Sequence, residues 1–176
     1  MSHINRKFIA EGIKRYDNQA YEKDKQLERV IQDKLKRLFP RGEVRYITKD
    51  ILIDILTWKA PRIKGWGNKN SEDFVIEVTK NCFASKNEQF KIEGLTILKG
   101  VKYRAASTIL HFCFPDEYTV MDWRAWKTLK LNNQLREGLK DDFRHWQLYL
   151  GICKRLSKKY GCSLRDLDKA LWANCE

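Results

Sequence analysis

The sequence predicts an all-α fold, a two-lobed helical bundle with a cleft between the lobes, and three observations carry that expectation. Apolar residues recur at three- and four-residue spacing through most of the chain, the period of one helix face. The breakers Pro40, Gly42, Pro61, Pro115 and Gly161 fall between those stretches and not inside them. Good capping residues (Thr48, Asn70 or Ser71, Asp122, Ser163) stand just ahead of several of them. At 176 residues, 43% hydrophobic and 33% charged, the chain suits one compact helical domain of two lobes sharing a sizeable core.

The first helix covers 1–20, with Ile4, Phe8, Ile9, Ile13 and Tyr16 on one side. A second covers 21–39 on the stripe Leu27, Val30, Ile31, Leu35 and Leu38. Its residues 22–37 carry both charge signs at helical spacing, which makes a solvated face and not a DNA-binding patch. Pro40 to Gly42 stop it, and 44–47 are extended or irregular. Thr48 caps a third helix, 49–59, with Asp50 in its first turn. Residues 58–67 read as the least regular segment, interleaving Trp58 and Trp66 with Lys59, Arg62 and Lys64. That mixture supplies stacking surfaces and phosphate contacts in nucleic-acid binders; it equally describes a loop whose tryptophans cover the core.

Helices at 72–84 and 88–98 follow, then a tight turn at 98–101 and a helix at 102–113 with Val101, Ala105, Ala106, Ile109, Leu110 and Cys113 on its apolar face. Asp122 stands immediately before a helix at 123–130. A long helix at 139–159 bears Phe143, Trp146, Leu150, Cys153 and Leu156, and Ser163 with Asp166 opens the last helix as a capping box. Trp126, Trp146 and Trp172 suit the core by spacing; His111, on the helix before Pro115, reads better as a satisfied histidine than as an acid–base group.

Charge and cysteine usage narrow the function classes. Thirty-five Lys and Arg against twenty-three Asp and Glu leave a net charge of +12, which favours a polyanionic partner. Five scattered cysteines make no disulfide framework, and Cys82, Cys113 and Cys153 read as small core residues. No apolar run reaches membrane-span length and the N-terminus has no signal-peptide core, so a cytoplasmic protein, nucleoid-associated when bound to DNA, is expected. There is no P-loop.

The most specialised stretch is 98–129. A glycine turn between two helices can lay backbone N–H groups against a phosphate, because the second helix starts with unpaired donors and a positive dipole end. A carboxylate near a bound phosphate chain is then placed for chemistry on the sugar.

At these residues the chain resembles the helix-hairpin-helix DNA glycosylases, the superfamily that includes endonuclease III. Their pattern, roughly L-P-G-V-G-x-K-T-A followed by a catalytic aspartate, is matched by Leu98, Gly100, Val101 and Ala106, and Asp122 falls at the family position, 18 residues beyond Arg104 (122 minus 104). Lys99 replaces the proline, Lys102 the second glycine, and Arg104 the lysine of bifunctional members. The run 163–172 is similar to the last helix of many members. The segment between Lys59 and the hairpin is shorter than in endonuclease III. Cys153, Cys162 and Cys175 are too widely spaced for the cluster some members hold, so no iron–sulfur cofactor and no other metal is expected.

The resemblance implies a hairpin at about 92–113, with Gly100, Val101, Lys102 and Arg104 contacting DNA together with Lys59, Arg62 and Lys64. It implies a base pocket drawn from Tyr46, Trp58, Trp66 and Trp123, and Asp122 as the catalytic carboxylate. Asp122 is equally a good helix cap, and the roles are compatible. Arg104, as a guanidinium, cannot form a Schiff base; it is either a phosphate ligand or an exposed helix cation. The expected activity is monofunctional base excision from double-stranded DNA by a monomer. The alternatives are a non-catalytic hairpin protein that binds DNA and a helical adaptor with an acidic protein partner.

Overall fold

A computed structural model describes residues 4–175 and is all-α: among the described residues there are ten α-helices, one 3-10 turn and no strand. In chain order these are α1 (Arg6–Gln19), α2 (Glu22–Leu38), α3 (Lys49–Lys59), the 3-10 turn Pro61–Ile63, α4 (Lys64–Gly67), α5 (Glu72–Ala84), α6 (Glu88–Leu95), α7 (Tyr103–Cys113), α8 (Trp123–Leu131), α9 (Phe143–Tyr160) and α10 (Leu164–Ala173). They divide into two compact units: a central one, Tyr21–Phe114, with α2 to α7, and a terminal one with α1 and α8 to α10. No described helix is long and apolar enough to cross a membrane.

The central unit is built on α3. Ile51, Leu52, Ile55 and Leu56 repeat at i, i+1, i+4 and i+5, and all four are 2% exposed or less. Burying each such side chain contributes about 1.5–3 kcal/mol before entropy, so this eleven-residue helix anchors α2, α5 and α7 around it. Lys34 of α2 reaches α3 with Nζ 2.6 Å from Asp54 and 2.8 Å from Asp50. Part of the charge on α2 therefore serves inter-helix pairing, because a lysine stem lies along an apolar seam while its head finds the partner's carboxylates. Burial pulls the Lys34 pKa down, but the hydrogen bonds to both aspartates outweigh it and hold the ammonium above its usual value.

In the terminal unit, α1 packs along α10 so closely at Gly12 that a Cβ there would sit 2.8 Å from Ala170 Cα. Around α9, Trp146, Tyr149, Cys153 and Leu156 are buried, and the Trp126 ring stacks on Tyr149 at 6.0 Å between centroids.

Several boundaries differ from the sequence reading. The segment 61–67 is helical in short pieces: Pro61 opens a 3-10 turn that passes into α4. Two glycines and a proline hide such turns from any 3.6-residue pattern. Helix α6 stops at Leu95 and not at 98, because Thr96, Ile97 and Leu98 donate to carbonyls three residues back and tighten the chain into the hairpin turn. Helix α9 begins at Phe143, four residues later than its apolar pattern, where Asp142 caps the His145 N–H at 2.8 Å. Asn5 caps α1, so that helix starts later than residue 1; residues 1–3 lie outside the described part. Trp172 is half-buried, its ring edge-on to Tyr16 at 5.5 Å with the Arg124 guanidinium 4.3 Å over it, so it shields the core and does not lie in it.

Candidate functional site

The hairpin lies in the central unit and is formed by α6, the turn 98–101 and α7. Val101 N–H donates to Leu98 C=O at 3.0 Å, closing a β-turn, and Gly100 occupies its third position at φ +89°. That conformation is open to glycine and strained for other residues. Space makes the same demand: a Cβ on Gly100 would meet Trp66 Cβ at 3.0 Å and Gly67 N at 3.2 Å. Lys102 follows as the N-cap of α7 with φ −120° and ψ 179°, extended backbone that any residue adopts, and its side chain makes no cap hydrogen bond. Residue 102 therefore need not be a glycine for this turn to form. Tyr103 and Arg104 open the helix at its N-terminal, positive end.

Two braces fix the hairpin. The Tyr103 hydroxyl donates to Glu93 Oε1 at 2.5 Å, tying α7 to α6. The second brace comes from Asn70, which the sequence offered only as an alternative cap; Ser71 is the cap of α5. Asn70 is 4% exposed, and its Nδ2 donates to Gly67 C=O and to Lys99 C=O, both at 3.0 Å. Its Oδ1 accepts the Lys99 N–H at 2.9 Å. One side chain thus locks the turn 98–101 against α4, across 29 residues of chain. No periodicity signals such a residue; the only sequence cue is a buried-type amide just after a glycine turn.

The other predicted contact residues separate into groups. Trp66 is 54% exposed beside Gly100, with the Lys69 ammonium 4.1 Å over its ring, and Arg62 and Lys64 are exposed on the same short segment. Trp58 is half-buried and edge-on to Phe112 of α7 at 5.1 Å, and Lys59, half-buried, ends α3. Tyr46 precedes the other end of that helix, so roughly 14 Å of helix lies between it and Trp58. It packs on Phe39 at 5.2 Å in a recess lined by residues of 38–46 alone. Tyr46 therefore lies in a recess that includes neither Trp58 nor Trp66. His111 is 4% exposed. Cys82, Cys113 and Cys153 are buried, and burial raises the Cys82 thiol to about 11.

Asp122 lies in the terminal unit as the N-cap of α8, with Oδ1 accepting the Arg124 N–H at 2.9 Å. The chain enters this cap through Val120 and Met121, which are buried, and Val120 C=O accepts the hydroxyl of fully buried Tyr149 at 3.0 Å. Burial first, then the charges of Cys153, Asp168 and Asp122, push the Tyr149 pKa well up, so its hydroxyl stays a donor. Trp123, the first residue of α8, is 50% exposed beside the carboxylate in sequence. A half-buried carboxylate fixed by a backbone N–H can stabilise developing positive charge or accept a proton from water.

No protein-family model, curated protein or solved structure matches the chain.

Proposed function

We propose that the protein is a monofunctional DNA N-glycosylase that excises a damaged or modified base from duplex DNA. The observation that carries this reading is the hairpin: a glycine turn at φ +89° leading into α7, whose N-cap residue Lys102 makes no side-chain cap hydrogen bond. Such an arrangement suits a phosphate oxygen, and Lys102, Arg104, Arg62, Lys64 and Lys59 add cationic side chains along the same unit. The net charge of +12 accords with a nucleic-acid partner.

In the reaction, the bond between base and sugar C1′ breaks with its electron pair leaving on the base. The sugar becomes oxocarbenium-like. The Asp122 carboxylate stabilises that charge and takes a proton from the water whose oxygen bonds to C1′. The base must leave the stack to react, and exposed tryptophans such as Trp123 or Trp66 offer surfaces for it or for the gap it leaves. No metal or cofactor is required, and a DNA partner would bring a cytoplasmic monomer to the nucleoid.

The test is a panel of duplexes each bearing one lesion, incubated with the full chain and then treated with alkali to cut abasic sites. Excision of at least one lesion, with no covalent adduct trapped by borohydride, is expected. An adduct would overturn the monofunctional mechanism. Salt-dependent duplex binding without excision of any lesion would leave the non-catalytic hairpin protein, and salt-independent or absent binding would leave the adaptor.

A further inference from the structure

We propose that Asn70 is the positioning residue of the phosphate site, holding the peptide between Lys99 and Gly100 so that the Gly100 N–H faces the DNA; this rests on the hairpin reading above. The argument is geometric. A β-turn has one soft element, its central peptide, which can rotate about its flanking bonds and exchange one turn type for another. In a planar trans peptide, C=O and N–H point in opposite directions. Here Asn70 Nδ2 holds the Lys99 carbonyl at 3.0 Å while Asn70 Oδ1 holds the Lys99 N–H at 2.9 Å. With the carbonyl drawn toward Asn70, the Gly100 N–H is directed to the opposite side, alongside the start of α7. A flipped peptide would present a carbonyl oxygen there and repel a phosphate.

The identity of residue 99 explains why a clamp is needed. Proline is favoured at the second position of such turns because its ring presets φ. Lys99 occupies that position and presets nothing, so the restraint comes from a side chain elsewhere. Asn70 suits the task because an amide alone offers a donor and an acceptor on one short rigid group. Its own position is fixed by the bond to Gly67 C=O and by burial to 4%.

Duplex affinity of the full chain, measured across salt concentrations and well below each melting temperature, tests the assignment. Asn70→Ala should weaken binding at fixed salt roughly ten- to hundredfold, the loss of a hydrogen bond to a charged group, with the log–log salt slope near parental, because a backbone N–H carries no charge that releases a counterion. Asn70→Asp, isosteric but with an acceptor in place of the donor, should do the same and serves if the alanine variant does not fold. Adding Lys99→Pro to Asn70→Ala should restore most of the affinity, because the ring supplies the missing restraint. Thr79→Ala, which removes a buried hydroxyl bonded to Ile47 N–H in the same unit, should lower stability and leave the affinity parental.

The proposal is overturned if Asn70→Ala keeps the parental affinity while Lys102→Ala with Arg104→Ala weakens binding and flattens the slope; the hairpin reading then survives. If that double variant also binds like the parent, hairpin and clamp fall together. If Thr79→Ala weakens binding as much as Asn70→Ala, the effect is general loosening and the assignment is wrong.

Discussion

The hairpin of the central unit and the Asp122 corner of the terminal unit are built on opposite plans. At the hairpin the candidate ligands are backbone N–H groups, and a side chain, Asn70, holds the backbone in place. At the corner the candidate reactive group is a side chain, and backbone holds it: the Arg124 N–H fixes one oxygen, and Val120 C=O is pinned by Tyr149. The difference has a consequence for mutation. A backbone site is insensitive to most substitutions of its own residues but sensitive to a glycine and to a distant clamp. A side-chain site loses its chemistry with one atom and keeps its fold.

The largest effect should come from Asp122→Asn. Asparagine caps a helix as well as aspartate does, so melting temperature and duplex affinity should stay near the parental values. Removing the charge that faces the oxocarbenium and accepts the water proton should cost on the order of a hundred- to a thousandfold in single-turnover excision. Parental excision by a folded Asp122→Asn protein would mean the residue is a cap alone.

Next in size is Gly100→Ala compared with Gly161→Ala. Both glycines have positive φ, but a Cβ on Gly161 meets nothing within 4 Å, whereas one on Gly100 meets Trp66 and α4 backbone. Gly161→Ala should lose about 1 kcal/mol from left-handed backbone alone. Gly100→Ala should lose roughly 2–3 kcal/mol, with strain and contact combined, and weaken DNA binding as well. Denaturant titration decides: equal losses at the two positions would show that the approach of Trp66 to Gly100 relaxes freely.

The two plans also explain what was legible in the sequence. Gly100 and the cap role of Asp122 could be read because each is enforced locally, by a turn's φ and by a helix start. The apolar stripes of α3 and α7 and the burial of Cys82, Cys113 and Cys153 followed from helical periodicity. Asn70 was illegible because its partners lie 29 residues away and polar clamps follow no period. The short helix α4 was hidden by Gly65 and Gly67, whose low helix propensity is overridden by packing against Leu56 and the hairpin turn. Trp58 and Trp66 looked equivalent by composition, yet one is edge-on to Phe112 and the other lies out beside Gly100. Only tertiary contacts separate them.

The smallest effect should come from Tyr149→Phe, which probes how far the corner depends on its support. The variant keeps the ring that stacks on Trp126 and removes the hydroxyl that donates to Val120 C=O and hydrogen-bonds with Cys153. A buried carbonyl without its donor costs about 1–3 kcal/mol, so the melting temperature should fall by a few degrees. Duplex affinity should not change, since the hairpin belongs to the other unit. Excision should slow only several-fold, because Asp122 keeps its own bond to Arg124 N–H and loses just the anchoring of the segment that leads into it. The pH dependence gives a signature specific to this hydroxyl. Its folded pKa is raised above the ordinary value by burial and by neighbouring negative charge. Above about pH 10 the unfolded chain releases this proton while the folded chain keeps it, so the folded state binds more protons and stability falls as pH rises. Phenylalanine has no such proton, and stability should decline less steeply above pH 10 in the variant than in the parent. Parallel alkaline limbs would show that Tyr149 titrates as freely in the folded protein as in the unfolded chain, and a hundredfold loss of excision would make its hydroxyl part of the chemistry and not a support for it.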